Sequence, residues 1–303
     1  MKELRVVFMG TPEFAVASLQ ALVEGGVNIV GVITAPDKPA GRGKKIMASA
    51  VKQYAEVKGL KILQPTNLKS PEFLEELRSL EADLQVVVAF RMLPELVWNM
   101  PPLGTFNLHA SLLPDYRGAA PINWAIINGE VETGLTTFFL KHEIDTGDII
   151  FQEKEPIHEE DNVGSLYERL MKKGGFLTLK TVKAIQQGNY TETPQSVSET
   201  VKHAPKIFKD TCEINWDQDH KRVYDFIRGL SPYPCAWTTL KGKTLKVFKS
   251  TISNEQLPVG KIVSDNKTYL RFGCQSGSLD ILELQLEGKK RMPIDEFLKG
   301  YQI

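Results

Sequence analysis

The chain has 303 residues, with 37 Lys and Arg against 37 Asp and Glu, 42% hydrophobic and 24% charged residues. That length exceeds one ordinary core, so two domains are expected, and the balance is that of a soluble globular protein rather than a disordered or fibrous one. No apolar run approaches the roughly 18 residues needed to cross a bilayer, so no membrane partner is expected, and MKELRVVFMG enters a strand pattern without a signal peptide's apolar core, so a cytoplasmic location is expected.

In chain order, Leu4 to Phe8 reads as a buried strand, with Thr11 expected as helix N-cap and Pro12 at the first helical position. Phe14, Leu19 and Leu22 give that helix its apolar face. Asn28 to Thr34, Leu60 to Leu63 and Leu84 to Phe90 read as strands, and Ala48 to Lys58 and Pro71 to Leu80 as helices. This alternation predicts an α/β fold, a Rossmann-like open parallel sheet with helices on both faces. The G-T-P-E turn after the first strand is not G-x-G-x-x-G, so a dinucleotide site is not expected, but ligands still bind beyond the carboxyl ends of strands in such sheets.

The segment Thr105 to His109 alternates, with Phe106 and Leu108 on one face of a strand and Asn107 and His109 on the other. An amide and an imidazole roughly 7 Å apart can act on one small substrate. The amide can donate to a developing oxyanion, and an imidazole exchanges protons near neutral pH. Asp145, in IDTGDII, could orient the ring and accept from an attacking amine or a bridging water. Taken singly, Asn-x-His at a strand end also fits a hydrogen-bonded structural pair, and Asp145 a turn residue. Together, Asn107, His109 and Asp145 supply what acyl transfer to an amine requires, with no covalent enzyme intermediate.

Leu135 to Leu140 and Ile149 to Glu155 read as further strands and Val163 to Gln187 as one long helix. The sequence divides into a catalytic domain over 1–188, a polar linker over 189–206 and a small C-terminal domain over 207–303. The last contains a helix within Asn215 to Leu230 and strands at Trp237 to Leu240, Thr244 to Lys249, Gly260 to Ser264, Tyr269 to Cys274 and Asp280 to Gln285, the size of a partly open barrel. Cys212, Cys235 and Cys274 are widely spaced and are expected to be free and buried. The five histidines form no ligand pair, so no metal is expected. Residues 200–303 hold 17 basic against 12 acidic residues and residues 1–199 hold 20 against 25, an asymmetry that suits a polyanion at the C-terminal part.

The run NLHASLLPDYRGAAP with IDTGDII resembles the active-site signature of the folate-dependent formyltransferases. VVFMGTPEFAVASLQAL, TAPDKPAGRGKK and HAPKIFKDTCEINWD extend the resemblance over nearly the full chain, to the branch whose acceptor is the α-amine of methionine on initiator tRNA. The resemblance implies 10-formyltetrahydrofolate as donor, initiator methionyl-tRNA as partner, a role in translation initiation and an OB-like barrel for the C-terminal domain, with no obligate protein partner. It implies folate contacts from Phe90, Arg91, Leu93, Ser111, Leu112, Leu113 and Pro114. It also implies tRNA contacts from the loop carrying Lys38, Arg42, Lys44 and Lys45, and from Lys206. Two places depart from the family pattern: Phe90 and Arg91 replace the commoner Tyr-Gly, and His142 and Glu143 the commoner Glu-Gly.

Overall fold

The computed structural model describes residues 3–40, 45–196 and 201–303. The chain packs as two compact units, one comprising Met1–Arg117, Gly134–Glu155 and Glu168–Lys202, the other Gly118–Thr133, Pro156–Tyr167 and His203–Ile303. Residues 118–133 and 156–167, placed by the sequence reading with the catalytic domain, thus pack with the C-terminal residues.

In the first unit, β1 (Arg5–Gly10), α1 (Glu13–Glu24), β2 (Asn28–Ile33), β3 (Lys38–Ala40), β4 (Lys45–Met47), α2 (Ala50–Val57), β5 (Ile62–Leu63), α3 (Pro71–Ser79), β6 (Leu84–Val88), α4 (Glu95–Trp98) and β7 (Thr105–His109) come first. The short β8 (Arg117–Gly118) and α5 (Pro121–Ile127), the helix belonging to the second unit, precede β9 (Glu132–Phe139), β10 (Ile149–Pro156) and the long α6 (Val163–Gln187). β1 and β6 are buried almost throughout, as befits strands covered on both faces. Ser49 and Ser70 cap α2 and α3 by accepting from Lys52 N and Phe73 N, and Pro71 occupies the first turn of α3. At α1 the expectation fails: Pro12, not Thr11, is the N-cap, without a side-chain hydrogen bond, so helix entry there rests on packing of Phe14, Leu19 and Leu22.

The sheet runs β10-β9-β7-β6-β1-β2-β5. β5, β2, β1, β6 and β7 are mutually parallel, but β9 pairs antiparallel with β7, so the sheet is mixed rather than parallel throughout. The helix between them, α5, packs with the helix His220–Leu230 in the second unit rather than serving as a crossover, and β9 lies beside β7 and returns along it. β1, β2, β6 and β7 all end at one edge, which therefore carries the loops after Gly10, Ile33, Val88 and His109. α6 lies close behind β7, since a Cβ on Gly174 would fall 2.8 Å from Leu108 Cδ2.

The second unit contains β11 (His203–Ala204), α7 (His220–Leu230), β12 (Ala236–Leu240), β13 (Lys243–Ser253), β14 (Ile262–Ser264), β15 (Leu270–Cys274), β16 (Gly277–Leu286), β17 (Met292–Pro293) and α8 (Ile294–Lys299). Its sheet runs β12-β13-β16-β15-β14, with β17 added on β16, and all these ladders are antiparallel. Val223, Ile227 and Leu230, one stripe of α7, join Leu245, Val247, Phe272 and Leu284 in the core. Two contacts explain why earlier segments belong here. Arg228 donates through Nη1 to the carbonyls of His158 and Asp161 at 3.1 and 3.0 Å, and Asn123 Nδ2 donates to Gly229 O at 2.8 Å. The three cysteines are free and buried, as expected, and burial pushes the Cys235 and Cys274 thiols up to about 12 and about 11, where they are unreactive.

Candidate active site

β7 carries the site because it is pinned on both sides. Asn107 lies opposite Val87 of β6 and Phe138 of β9, and His109 opposite Thr136. His109 is only 7% exposed, and its Nε2 lies 2.9 Å from the carbonyl of Tyr116. A carbonyl only accepts, so Nε2 carries the proton, and a neutral ring presents a lone pair at Nδ1. Phe138 meets the ring edge-on at 6.5 Å.

Nδ1 faces Asp145 Oδ2 at 4.0 Å, with that carboxylate 12% exposed. This is too long for a direct hydrogen bond. The ring is therefore held directly by the Tyr116 carbonyl, a group the sequence did not single out, while the carboxylate stands back. Two acceptors facing each other across such a gap suit a third group that donates to both, or an imidazolium. Asp145 adopts φ +56, in the left-handed region that is costly for a residue with a Cβ. Two residues on, a Cβ at Gly147 would fall 1.6 Å from Phe139 O, so only glycine lets the loop pass this close to β9.

Asn107 is half-buried, and its Oδ1 has no hydrogen-bond partner among the described residues. Rotating the amide by half a turn puts the NH₂ at that place without changing its shape, so the group can present either a donor or an acceptor. A buried amide end left without a partner costs free energy, and such exceptions mark sites where another group completes the bond.

The loop after β7 is shaped from below. Ser111 is fully buried and its hydroxyl donates to Asp115 O at 2.6 Å. Thr136 Oγ1 donates to Ser111 O at 2.7 Å and accepts from Leu113 N at 3.1 Å. Gln152 Nε2 donates to Leu113 O at 2.9 Å and Thr136 Oγ1 at 3.0 Å. Ser111 and Leu113 are buried, and Leu112 and Pro114 keep exposed surface. Thr136 and Gln152 were legible only as polar residues on strands; nothing local tied them to the loop.

After β6, Phe90 and Leu93 are half-buried and Arg91 is exposed. Arg91 donates through Nη1 to Thr66 O at 3.1 Å and through Nη2 to Pro65 O, so the departure at this position links two loops of the same edge. His142 is 74% exposed, with Nε2 3.5 Å from Glu95 Oε1 and its ring 5.5 Å from that of Trp98. Lys38 is exposed in the segment after β2. Arg42 and Lys44 lie outside the described residues, as does the side chain of Lys45. Lys206, in the second unit, is exposed with its Nζ 5.3 Å from the Phe208 ring centroid. Among the described residues no group of three His, Cys, Asp or Glu side chains could hold a metal ion, and no helix is long and apolar enough to cross a membrane.

Asn107 and His109 thus lie on the strand that ends at the carboxyl edge of a mixed α/β sheet, with Asp145 facing the imidazole, and sequence comparison gives the lineage. Residues 4–182 match the Formyl transferase family and residues 206–302 the Formyl transferase C-terminal domain, so the chain belongs to the formyl transferase family. It is 57% identical over 316 residues to the methionyl-tRNA formyltransferase of Bacteroides fragilis, covering 100% of this chain and 96% of that protein. Identity to the methionyl-tRNA formyltransferase of Flavobacterium johnsoniae is 50% over 306 residues, covering 99% and 97%. Among solved structures, the fold is shared with an N-formyltransferase from Helicobacter canadensis in complex with folinic acid and dTDP-3-aminofucose, at TM-score 0.69 and 21% identity over 95% of this chain and 100% of that one. It is also shared with HypX from Aquifex aeolicus in complex with tetrahydrofolic acid, at TM-score 0.64 and 19% identity over 99% of this chain and 48% of that one.

Proposed function

We propose that this chain transfers the formyl group of 10-formyltetrahydrofolate to the α-amino group of methionine on initiator methionyl-tRNA, giving formylmethionyl-tRNA and tetrahydrofolate. The acceptor rests on identities of 50–58% to methionyl-tRNA formyltransferases over essentially the whole chain. The observation that carries the chemistry is the His109 to Asp145 gap beside the unpartnered amide end of Asn107.

In this reading the methionine amine enters between His109 Nδ1 and Asp145 Oδ2, donates an N–H to each and is left with its lone pair directed at the formyl carbon. Attack forms the new C–N bond and places negative charge on the formyl oxygen, which the Asn107 NH₂ stabilises as a preorganised donor. Asp145 and His109 accept the proton that the amine loses, and breaking the bond to the folate nitrogen returns a proton to that leaving group. Tyr116 O keeps the ring turned so that Nδ1 faces the reaction. The folate lies along Leu112, Pro114, Phe90 and Leu93, with Arg91 at the rim.

Recognition of tRNA falls to cations on two separate stretches. Lys38, Arg42, Lys44 and Lys45 follow β2, whose end shares the sheet edge with that of β7. Lys206 beside Phe208, which is 58% exposed, offers a charge and a stacking face in the C-terminal part, which we read as an OB-like module. Purified protein given labelled 10-formyltetrahydrofolate and either charged initiator tRNA, elongator methionyl-tRNA or an amino-sugar nucleotide tests the assignment. Formylation of the initiator species above both others is expected, and transfer to the sugar nucleotide alone overturns it.

A further inference from the structure

The polar stretch after α6 reads from sequence as a linker, yet in the first unit it is bonded to both loops that build the site. Thr193 and Ile149 exchange backbone hydrogen bonds of 2.8 and 2.9 Å where β10 begins. Gln195 Nε2 donates to Asp145 O at 2.9 Å and to Gly147 O at 2.8 Å. Its Oε1 accepts from Arg117 Nε at 3.2 Å and Nη2 at 2.6 Å. Further on, Tyr116 N donates to Lys202 O at 2.6 Å and Lys202 N to Asp115 Oδ1 at 3.1 Å.

One amide therefore joins the loop of Asp145 to the residue that follows Tyr116, whose carbonyl holds His109. Its two donors are both used on the carbonyls that flank the strained turn, and Asp145 sits there at φ +56. A backbone conformation of this kind persists only where its surroundings over-determine it. We propose that Gln195 is a positioning residue for the formyl-transfer site, holding the Asp145 carboxylate at its working distance from the His109 ring. This rests on the reaction assigned above. Gln195 touches neither donor nor acceptor in that role, and acts through the Asp145 and Gly147 carbonyls.

Two substitutions separate this role from that of a simple strap. Gln195→Ala loses both halves of the amide. Gln195→Glu keeps an acceptor for Arg117, as an ion pair, but has no N–H for the two carbonyls. Kinetics of formyl transfer to initiator methionyl-tRNA are measured alongside amide hydrogen exchange over residues 143–149 and thermal unfolding. Both variants are expected to fold, to lower kcat about tenfold or more with KM for the tRNA within about twofold, and to exchange the 143–149 amides about tenfold faster. Wild-type kcat and exchange in Gln195→Glu, whatever Gln195→Ala does, would overturn the inference. A wild-type chain that transfers no formyl group would instead overturn the reaction, while the exchange data still decide whether Gln195 holds the loop.

Discussion

Asn107 is the residue whose role and stability separate most cleanly. Its Oδ1 is buried without a partner, so truncating the side chain removes no internal hydrogen bond at that atom. If the amide stabilises the oxyanion, Asn107→Ala should lower kcat by about 10²–10³-fold, or roughly 3–4 kcal/mol. Thermal unfolding should stay within about 1 kcal/mol of wild type, because what is lost in packing is offset by relief of an unsatisfied polar group. Single-turnover transfer with saturating substrates reads the first effect, and a rate near wild type removes Asn107 from the mechanism. His109 differs: its ring is tied to Tyr116 O, so substitution there disturbs loop and chemistry together and is a poorer probe.

At the scale of elements, most strands and helices were legible because each follows from local pattern. β7 was placed at Thr105 to His109 and α6 at Val163 to Gln187 with the bounds observed, since alternation and a long apolar stripe need no distant partner to be read. What escaped depends on pairing between remote segments. The antiparallel return of β9, the thread from Thr136 and Gln152 to the Leu113 loop, and the attachment of Thr193, Gln195 and Lys202 to that loop and its neighbour have no local signature. The same is true of the clamp between β10 and α6. Glu155, with its side chain 5% exposed, meets Arg169 Nε at 2.6 Å through Oε1 and Lys173 Nζ at 2.6 Å through Oε2. Burial pushes its pKa up, but hydrogen bonds and charge from Lys173 and Arg169 outweigh it and hold the carboxyl below its ordinary range. A folded pKa below the unfolded one gives stability that is complete above the ordinary carboxylate range and is lost as pH falls through the folded value. Glu155→Gln should therefore cost about 1–2 kcal/mol near pH 7, less than a fully buried pair because both cations can rehydrate. The difference from wild type should shrink toward pH 3 in urea unfolding series, and a pH-independent difference would refute the linkage.

Over the whole molecule the formal charge is zero, so no net field draws in a polyanion. On the proposed function attraction for tRNA is local, and the basic residues after β2 and the excess of cations beyond residue 200 are its candidate sources. This arrangement predicts a particular salt response. Each phosphate neutralised by a lysine releases condensed counterions, so log affinity falls linearly with log salt, and losing one such contact lowers the slope by about one. Lys206 is exposed, and its Nζ lies over Phe208 rather than in an ion pair with a carboxylate within 4.0 Å among the described residues. Lys206→Ala should raise the Kd for initiator tRNA about equally across acceptor-stem sequences and reduce the salt slope by about one, with tetrahydrofolate binding unaltered. Filter binding between 50 and 200 mM salt, the range in which such contacts weigh heavily, measures both quantities. A weakened Kd with the slope intact would mean that the lysine serves through the aromatic face of Phe208 and not through a phosphate, and would move tRNA recognition at this point from charge to stacking.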